Sequence, residues 1–378
     1  ASVPAARVRA DRSVGRSRSV IIDRVRTFIL VVIAGGALLD EPGRAADEHA
    51  RLPGARPAGD EQRRRGVDDR LALRVGEAVE GSGHPAVGYA RLSAGSESTS
   101  PLDADWLGAC RRAIEGVKAV LAAHPETADR AETTGRGEGG DLALVIDRGA
   151  EDVILAEIEA LGVGVTVISE ERGRVELHGG GPVHVVVDPI DGSLNAKRRL
   201  PLYGVSIAVA SGPHMGDVEL AYVYDLGRDE EWWARRGGGA FAGGEPLAPL
   251  GGERPFEILG LDGANPRLVA ACAEQVAASG ARRLRAIGSI ALSLAYVAGA
   301  RFDAMISLAD CRSVDAAAGQ LLVRELGGAV TFPDAGGDPA AVSLSLDMRS
   351  RVLAAANEEI LARLLSAMPD ESPGRRRS

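Results

Sequence analysis

The sequence predicts an α/β (α+β layered) fold with at least one mixed sheet. Helical periodicity and short β-branched runs alternate in blocks over residues 102–368, and tight Gly turns separate several of the runs. Blocks of helix and strand in alternation are typical of architectures in which helices cover the faces of a sheet. Residues 1–101 lack a sustained period, so the layered domain is expected to begin near Leu102.

The elements follow from apolar spacing. Apolar residues recur every three or four positions over 105–123, with Asp103 or Asp105 placed as an N-cap, and again over 150–161. Strand-like runs follow over 163–169, 183–187, 205–210 and 219–224. The remainder predicts helices over 290–299, 314–326 and 358–367 and strands over 304–307, 329–332 and 352–355.

The charge balance excludes one large class of function. The 378 residues carry 44 Lys+Arg and 53 Asp+Glu, a formal net charge of −9, whereas nucleic-acid binders usually present a basic stripe. Aromatic residues make up only 3%, too few for a base-stacking platform. Three widely spaced cysteines favour a reducing, cytoplasmic setting over a disulfide scaffold or a metal-binding CxxC site.

The first hundred residues differ from the rest. Residues 1–70 carry 14 Arg and 10 acids, and residues 28–39 form an apolar run after several arginines. This outline is that of a signal peptide, although the run is shorter than the roughly 20 residues of a membrane span. We favour a disordered or non-native leader and linker over 1–101; a short buried helix and an export or membrane segment are the alternatives. No membrane partner is expected, and residues 369–378 read as a charged tail.

Acidic residues gather where predicted elements begin or end. Asp147 precedes the second helix, Glu170 and Glu171 follow a strand, and Asp188 and Asp191 follow another. Asp315 opens a later helix. Ligands collect at strand ends in such sheets, and crowded carboxylates are tolerated when hard cations such as Mg²⁺ neutralise them. Gly192 lets the backbone approach an anion, and a helix beginning at Ser193 would point free N–H groups at a phosphate.

Three motifs occur in order: SEERG at 169–173, DPIDGSLN at 188–195 and VDAAAGQLLVRELGG at 314–328. Together they resemble the inositol monophosphatase superfamily of Mg²⁺-dependent, lithium-sensitive sugar phosphatases. The run GDLALVID at 140–147 and a hairpin over 221–247 support the resemblance, which covers residues 102–368. It implies alternating α-β-α-β-α layers of the sugar phosphatase type and a homodimer.

The resemblance also assigns a cation site of two or three Mg²⁺ ions. Glu170, Asp188 and the carbonyl of Ile190 would hold the first ion. Asp188, Asp191 and Asp315 would hold the second, and Asp315 is also placed among the substrate-binding residues. Glu171 would support a third, weaker ion or its bound water.

Catalysis and phosphate binding are assigned in the same way. Asp147 and Ser193 would orient and deprotonate the attacking water, with Glu171 beside them, and the N–H groups of Gly192 and Ser193 would cradle the phosphate. The implied reaction is direct in-line attack on an inositol phosphate or related sugar phosphate, without a phosphoenzyme. The partner is therefore a small phosphate ester.

The substrate itself is left open between several possibilities. Leu308 stands seven residues before Asp315, where animal-type relatives carry a Glu that contacts inositol, and this favours bacterial and archaeal relatives that also accept fructose 1,6-bisphosphate. The basic run 197–199 either meets a second phosphate or is a solvated loop. Alternatives are a 3′(2′),5′-bisphosphate nucleotidase of the same superfamily and a non-catalytic metal- or phosphate-binding regulator.

Overall fold

The computed structural model describes residues 100–138 and 142–368. The predicted leader and linker lie outside the described residues except for Ser100 and Pro101, and the predicted tail over 369–378 lies outside them entirely. The helices are α1 (Trp106–Ala123), α2 (Thr127–Arg130), α3 (Val145–Glu159), α4 (Ser193–Arg198), α5 (Pro266–Ala271), α6 (Ala273–Ala278), α7 (Ile290–Ala298), α8 (Ser313–Glu325) and α9 (Glu358–Ala367). The strands are β1 (Thr133–Arg136), β2 (Leu142–Leu144), β3 (Val165–Ser169), β4 (Gly173–Leu177), β5 (His184–Asp191), β6 (Gly204–Ala210), β7 (Val218–Asp225), β8 (Glu230–Arg235), β9 (Gly239–Ala242), β10 (Glu245–Pro246), β11 (Ile258–Asp262), β12 (Arg283–Arg285), β13 (Ala304–Ser307), β14 (Ala329–Thr331) and β15 (Leu353–Ala355).

Helices α1 and α3 form the first layer. The Asp105 side chain caps α1 by accepting a hydrogen bond from the Gly108 N–H at 3.0 Å, as the sequence predicts. The apolar stripes of the two helices pack on one face of an eight-stranded sheet, where Ile114 and Ile154 are almost completely buried. Burial of such a stripe is the main source of helix stability in a protein.

The eight-stranded sheet has the order β10-β9-β8-β7-β6-β5-β3-β4. Only the β3–β5 pair is parallel, and the others are antiparallel, so the predicted mixed sheet is confirmed. Side chains alternate between its faces: Val185 and Val187 point to α1 and α3, whereas Val186 points to the opposite core. A strand buried on both faces reads as a continuous apolar run, which is why three β-branched residues, Val185, Val186 and Val187, follow one another in β5.

Helices α7 and α8 form the middle layer, between the first sheet and a second one. The second sheet has the order β12-β11-β13-β15-β14. Successive side chains of its strands point to opposite faces: Met305 points to α7 and α8, and Ile306 points to the outer helices. Helices α5, α6 and α9 cover that outer face. The predicted order of α-β-α-β-α layers is therefore confirmed.

Several element boundaries differ from those predicted by one or more residues, and three of them lie at acidic residues of the predicted site. Helix α3 begins at Val145 rather than after Asp147, because the Asp147 side chain accepts a hydrogen bond from the Leu144 N–H at 3.2 Å and so closes the first turn. Strand β5 continues to Asp191 instead of ending at Asp188. Helix α8 begins at Ser313, which places Asp315 inside its first turn. The acids thus belong to the elements, not to loops beside them.

Several short elements have no predicted counterpart, among them the β1–β2 pair, β4 and β12. In β1, β4 and β12, charged residues or glycines interrupt the apolar run from which a strand is predicted. No helix within 100–138 or 142–368 is both long and apolar enough to cross a membrane.

Candidate active site

The ends of β3 and β5 meet the first turns of α3, α4 and α8 around a cavity of about 410 Å³. This cavity brings together residues that are far apart in the sequence. Its wall consists of Thr133, Leu144, Asp147, Glu170, Glu171, Asp188, Ile190, Asp191, Gly192, Ser193, Leu194, Lys197 and Arg312. Eight of the nine residues predicted from the sequence are in this wall. The ninth, Asp315, bonds to Arg312, which lines it.

The segment from Asp188 to Ser193 is shaped by a break in the β5–β6 pairing. The register between these strands shifts between Asp188 and Asp191, so the backbone there bulges away from the ladder. Asp188 is almost fully buried and accepts a hydrogen bond from the Ile190 N–H at 3.1 Å. The Ser193 hydroxyl donates to the Ile190 carbonyl at 2.9 Å, which pins the turn into α4. Both carboxylates of the motif therefore reach the same cavity.

Gly192 connects this bulge to α4 in a backbone conformation that suits only glycine. Its φ is +92°, in the left-handed region. A Cβ built there would lie 3.0 Å from the Leu202 carbonyl oxygen and 3.2 Å from that of Gly288. Close backbone approach on both sides leaves no room for a side chain.

Gly192→Ala is expected to lower the free energy of unfolding by about 1–3 kcal/mol more than Gly179→Ala does, because overpacking adds to the backbone strain. Gly179 is the matched control, with a φ of +86° and no atom within 4 Å of a built Cβ. Urea unfolding of the two variants measures the difference. Equal losses of unfolding free energy in the two variants would show that contacts of the added Cβ with Leu202 and Gly288 do not destabilise the protein.

Asp191 is held by the first turn of α7. Its Oδ2 atom accepts hydrogen bonds from the Ser289 hydroxyl at 2.7 Å and from the Ala291 N–H at 2.6 Å. Both bonds engage Oδ2, so Oδ1 is the atom that can turn toward a cation. Burial, followed by the charge of Asp315, raises the pKa of Asp191 well above its ordinary value.

A guanidinium lies among the acids of the opposite wall. The Arg312 side chain bonds to Glu170 and approaches Asp315 Oδ1 at 3.5 Å, while its backbone N–H donates to Asp315 Oδ2 at 2.7 Å. Burial raises the pKa of both Glu170 and Asp315, and the charge of Arg312 is the largest opposing influence on each. Arg312 is thus the counter-ion of this wall.

Asp147 and Glu171 form the third group of acids. Burial raises the pKa of Asp147 to about 7, and the Ser193 hydroxyl beside it favours the ionised form. Burial, then the charges of Glu170 and Asp147, raises the pKa of Glu171 to about 8. Asp147 Oδ1 and Glu171 Oε2 are buried, and no residue within 100–138 or 142–368 donates a hydrogen bond to either. These oxygens are available for a cation or a water.

The donor set fits a hard divalent cation. Carboxylate oxygens are the ligands that Mg²⁺ prefers, and the raised pKa values reflect first burial and then the crowding of negative charge, which a cation would relieve. Within the described ranges, however, no three Asp, Glu, His or Cys side chains are arranged around one point as a finished metal site. The ligand chemistry is in place, and two of the acids are engaged by Arg312 instead.

The stability of the cation-free protein is expected to fall as the pH rises from about 4 to about 8. The carboxyl pKa is near 4 in the unfolded chain and is raised to about 7 in Asp147 and about 8 in Glu171, so the folded state binds more protons in this window. Thermal unfolding in a chelator at pH 5.5 and pH 8 measures the effect. Added Mg²⁺ should restore stability at pH 8, and a higher melting temperature at pH 8 in chelator would contradict the account.

Sequence reasoning missed two buried groups that support the site. Glu151 is fully buried on α3. It accepts hydrogen bonds from the Ser169 hydroxyl and, at 3.0 Å, from the Arg172 N–H. These bonds anchor the turn that carries Glu170 and Glu171. Its position four residues after Asp147, on the same helix face, was the available signal. Asp262 at the end of β11 accepts from the Gly288 N–H at 3.0 Å and steadies the turn before α7. No motif marks it.

The sequence and the fold of this chain are similar to those of known proteins. The model of the inositol monophosphatase family matches residues 103–372. A fructose-1,6-bisphosphatase/inositol-1-monophosphatase from Methanothermobacter thermautotrophicus is 32% identical over 277 residues, which cover 70% of this chain and 96% of that protein. The Nus factor SuhB of Salmonella typhimurium is 33% identical over 282 residues, covering 69% and 94%. The crystal structure of the extragenic suppressor protein suhB from Bartonella henselae has a TM-score of 0.58 and 25% identity, covering 69% of this chain and 97% of that one.

Proposed function

Because this chain belongs to the inositol monophosphatase family and is a phosphoric monoester hydrolase, we propose that it is a Mg²⁺-dependent phosphatase of inositol phosphates or related sugar phosphates. The observation that carries the proposal is the convergence of five carboxylates on one cavity, with Asp315 bonded to Arg312 of its wall and the pKa values of Asp147 and Glu171 raised to about 7 and about 8. A cavity this acidic repels a phosphate unless cations are bound in it.

Glu170, Asp188 and the Ile190 carbonyl would hold one cation, and Asp191 and Asp315 would share another with Asp188. Bound Mg²⁺ lowers the pKa of a coordinated water and offsets the charge that develops on the leaving oxygen. The buried Oδ1 of Asp147 would accept the proton of the attacking water, and the Ser193 hydroxyl would fix that water in place. Glu171 beside them would hold a further cation or its water.

The phosphate would bind at the start of α4. Gly192 is the left-handed N-cap of α4, and the first N–H groups of a helix have no partner within it, so the N–H groups of Gly192 and Ser193 would be free to bind the phosphate. Backbone donors that are fixed before the substrate arrives do not have to reorganise during the reaction. We expect direct in-line attack, with no covalent phosphoenzyme.

A bisphosphate such as fructose 1,6-bisphosphate is favoured by Lys197. This lysine lines the cavity one helical turn after Ser193, about 6 Å further along the α4 axis. It is half-buried. Leu308 is packed in the outer core, so it gives the cavity no carboxylate for an inositol ring. A second phosphate would therefore meet a positive charge.

Phosphate release from inositol 1-phosphate, fructose 1,6-bisphosphate and 3′-phosphoadenosine 5′-phosphate, with and without Mg²⁺, tests the proposal. We expect Mg²⁺-dependent release from the first two. Lys197→Met should lower kcat/KM for the bisphosphate by about tenfold and leave inositol 1-phosphate within about twofold, since one charge-assisted hydrogen bond is lost. Arg198→Met, an exposed neighbour outside the cavity wall, is the control.

Other outcomes identify the alternatives. Fastest release from the nucleotide would favour a 3′(2′),5′-bisphosphate nucleotidase. No release from any substrate would favour a non-catalytic metal- or phosphate-binding regulator, an alternative that relatives named Nus factor SuhB keep open. We also propose a cytoplasmic homodimer; the three buried, unpaired cysteines are consistent with a reducing compartment.

A further inference from the structure

Arg312 contacts acids of the cavity that would have to be free in order to bind a cation. Its guanidinium bonds to Glu170 and approaches Asp315, and only 14% of its side chain is exposed. Both of these acids belong to the proposed Mg²⁺ ligands, one for each ion. The guanidinium therefore bridges two acids that are assigned to different cations.

The chemistry of arginine makes this contact consequential. A guanidinium stays charged throughout the pH range of proteins, and its planar fork can bond two carboxylates at once. A charge-assisted hydrogen bond of this kind is among the stronger ones in proteins. Arg312 cannot leave by losing its proton, so a cation that takes Glu170 has to displace it physically or share the carboxylate with it.

Two other basic side chains lie near these acids or in the cavity wall. Arg148 lies 3.9 Å from Glu171, at a distance beyond a hydrogen bond, and among the described residues it has no contact with Glu170. Lys197 lies on α4 and lines the cavity. Arg312 alone of these three bridges two of the assigned ligands.

We propose that Arg312 is an internal competitor for the cation site. In the cation-free protein its guanidinium neutralises Glu170 and Asp315, and it leaves Glu170 when Mg²⁺ binds, so the protein requires a higher Mg²⁺ concentration for loading. This inference rests on the proposed Mg²⁺ dependence. It adds that the Mg²⁺ affinity is set partly by a residue that is not a ligand.

Mg²⁺ binding to the full-length protein by isothermal titration calorimetry, together with thermal unfolding in chelator and in saturating Mg²⁺, tests this inference. Arg312→Gln should tighten the apparent Kd for Mg²⁺ by about tenfold, the loss of one charge-assisted hydrogen bond. It should also lower the melting temperature in chelator, and saturating Mg²⁺ should remove most of that difference.

Arg148→Gln is the matched control, because it removes one positive charge near the acids without touching Glu170. It should tighten binding by less than about threefold. Arg312→Lys keeps the charge but loses the fork, so it should fall between the wild type and Arg312→Gln. This second variant also decides the matter if Arg312→Gln does not fold.

Unchanged or weaker Mg²⁺ binding by the Arg312 variants, beside clear binding by the wild type, would overturn the inference and leave the proposed function intact. Equal tightening by Arg148→Gln and Arg312→Gln would also overturn it, since the effect would then be general electrostatics. If the wild type binds no Mg²⁺, the proposed function fails and takes the inference with it.

Discussion

Asp188→Asn is expected to reduce Mg²⁺-dependent phosphate release by on the order of 10³-fold or more, the scale at which single electrostatic contributors to catalysis act. Asp188 is the one carboxylate assigned to both cations, and its side chain is 1% exposed. The amide is nearly the same size but carries no charge. Loss of a shared ligand should weaken both cations together.

The same substitution should raise the stability of the cation-free protein. Burial, then the charges of Glu170, Asp191 and Asp315, raises the pKa of Asp188 well above its ordinary value, so the ionised carboxylate is unfavourable in the fold at neutral pH. Thermal unfolding in chelator at pH 8 measures this gain. If the Asp188→Asn protein is more stable than the wild type in chelator but inactive, Asp188 acts as a cation ligand and not as a structural residue.

Asp225→Asn is the control for that experiment. Asp225 is also fully buried, and it accepts a 2.6 Å hydrogen bond from the Tyr296 hydroxyl, but it does not line the cavity. It should retain activity per folded molecule. Full activity of the Asp188 variant would exclude Asp188 as a ligand and with it the proposed mechanism.

Asp147→Asn is expected to lower kcat by about 10²- to 10⁴-fold, the usual contribution of a positioned general base. Asp147 is not among the assigned cation ligands, so the Mg²⁺ affinity measured by calorimetry should stay within about threefold of the wild-type value. The loss should appear in kcat, with little change in binding. Asp152→Asn, an exposed acid on the same helix, should be active.

Ser193→Ala should show a similar loss, and the double variant should lose little more, because residues that act as a unit are not additive. Ser193→Thr keeps the hydroxyl and should retain most of the activity. A Ser193→Ala variant with wild-type kcat would remove Ser193 from the assigned pair. If the loss of kcat in the double variant equals the product of the two single losses, the two residues act separately.

Local sequence patterns were sufficient for the strongly periodic elements. The helix over 358–367 and the strand over 304–307 have the predicted bounds, because the amphipathic period of the helix and the short apolar run of the strand are both local signals. The strand pairing was not predictable, since order and register depend on which faces are buried by distant helices. The bulge between Asp188 and Asp191 is a feature of this pairing and was likewise not predictable from the sequence.

In the candidate site, too, some residues could be predicted from the sequence and others could not. Asp188, Asp191 and the acids around them stand in recognisable motifs, so their meeting in one cavity could be predicted. Arg312 could not, because its reach to Glu170, 142 positions earlier in the chain, exists only after α8 packs under the first sheet. Asp262 likewise acts through the turn at Gly288, a contact that no local pattern encodes.

The bond between Asp191 and the first turn of α7 bears on when the site is completed during synthesis. The acids from Asp147 to Asp191 leave the ribosome first, and Asp315 follows about 120 residues later. At the usual 5–20 residues per second this is an interval of roughly 6–25 s. For about the first 100 of these residues Asp191 has neither Ser289 nor Ala291 to hold it, and the nascent chain carries a half-assembled acid cluster. The proposed cation site is therefore completed only after the second half of the chain has emerged and docked.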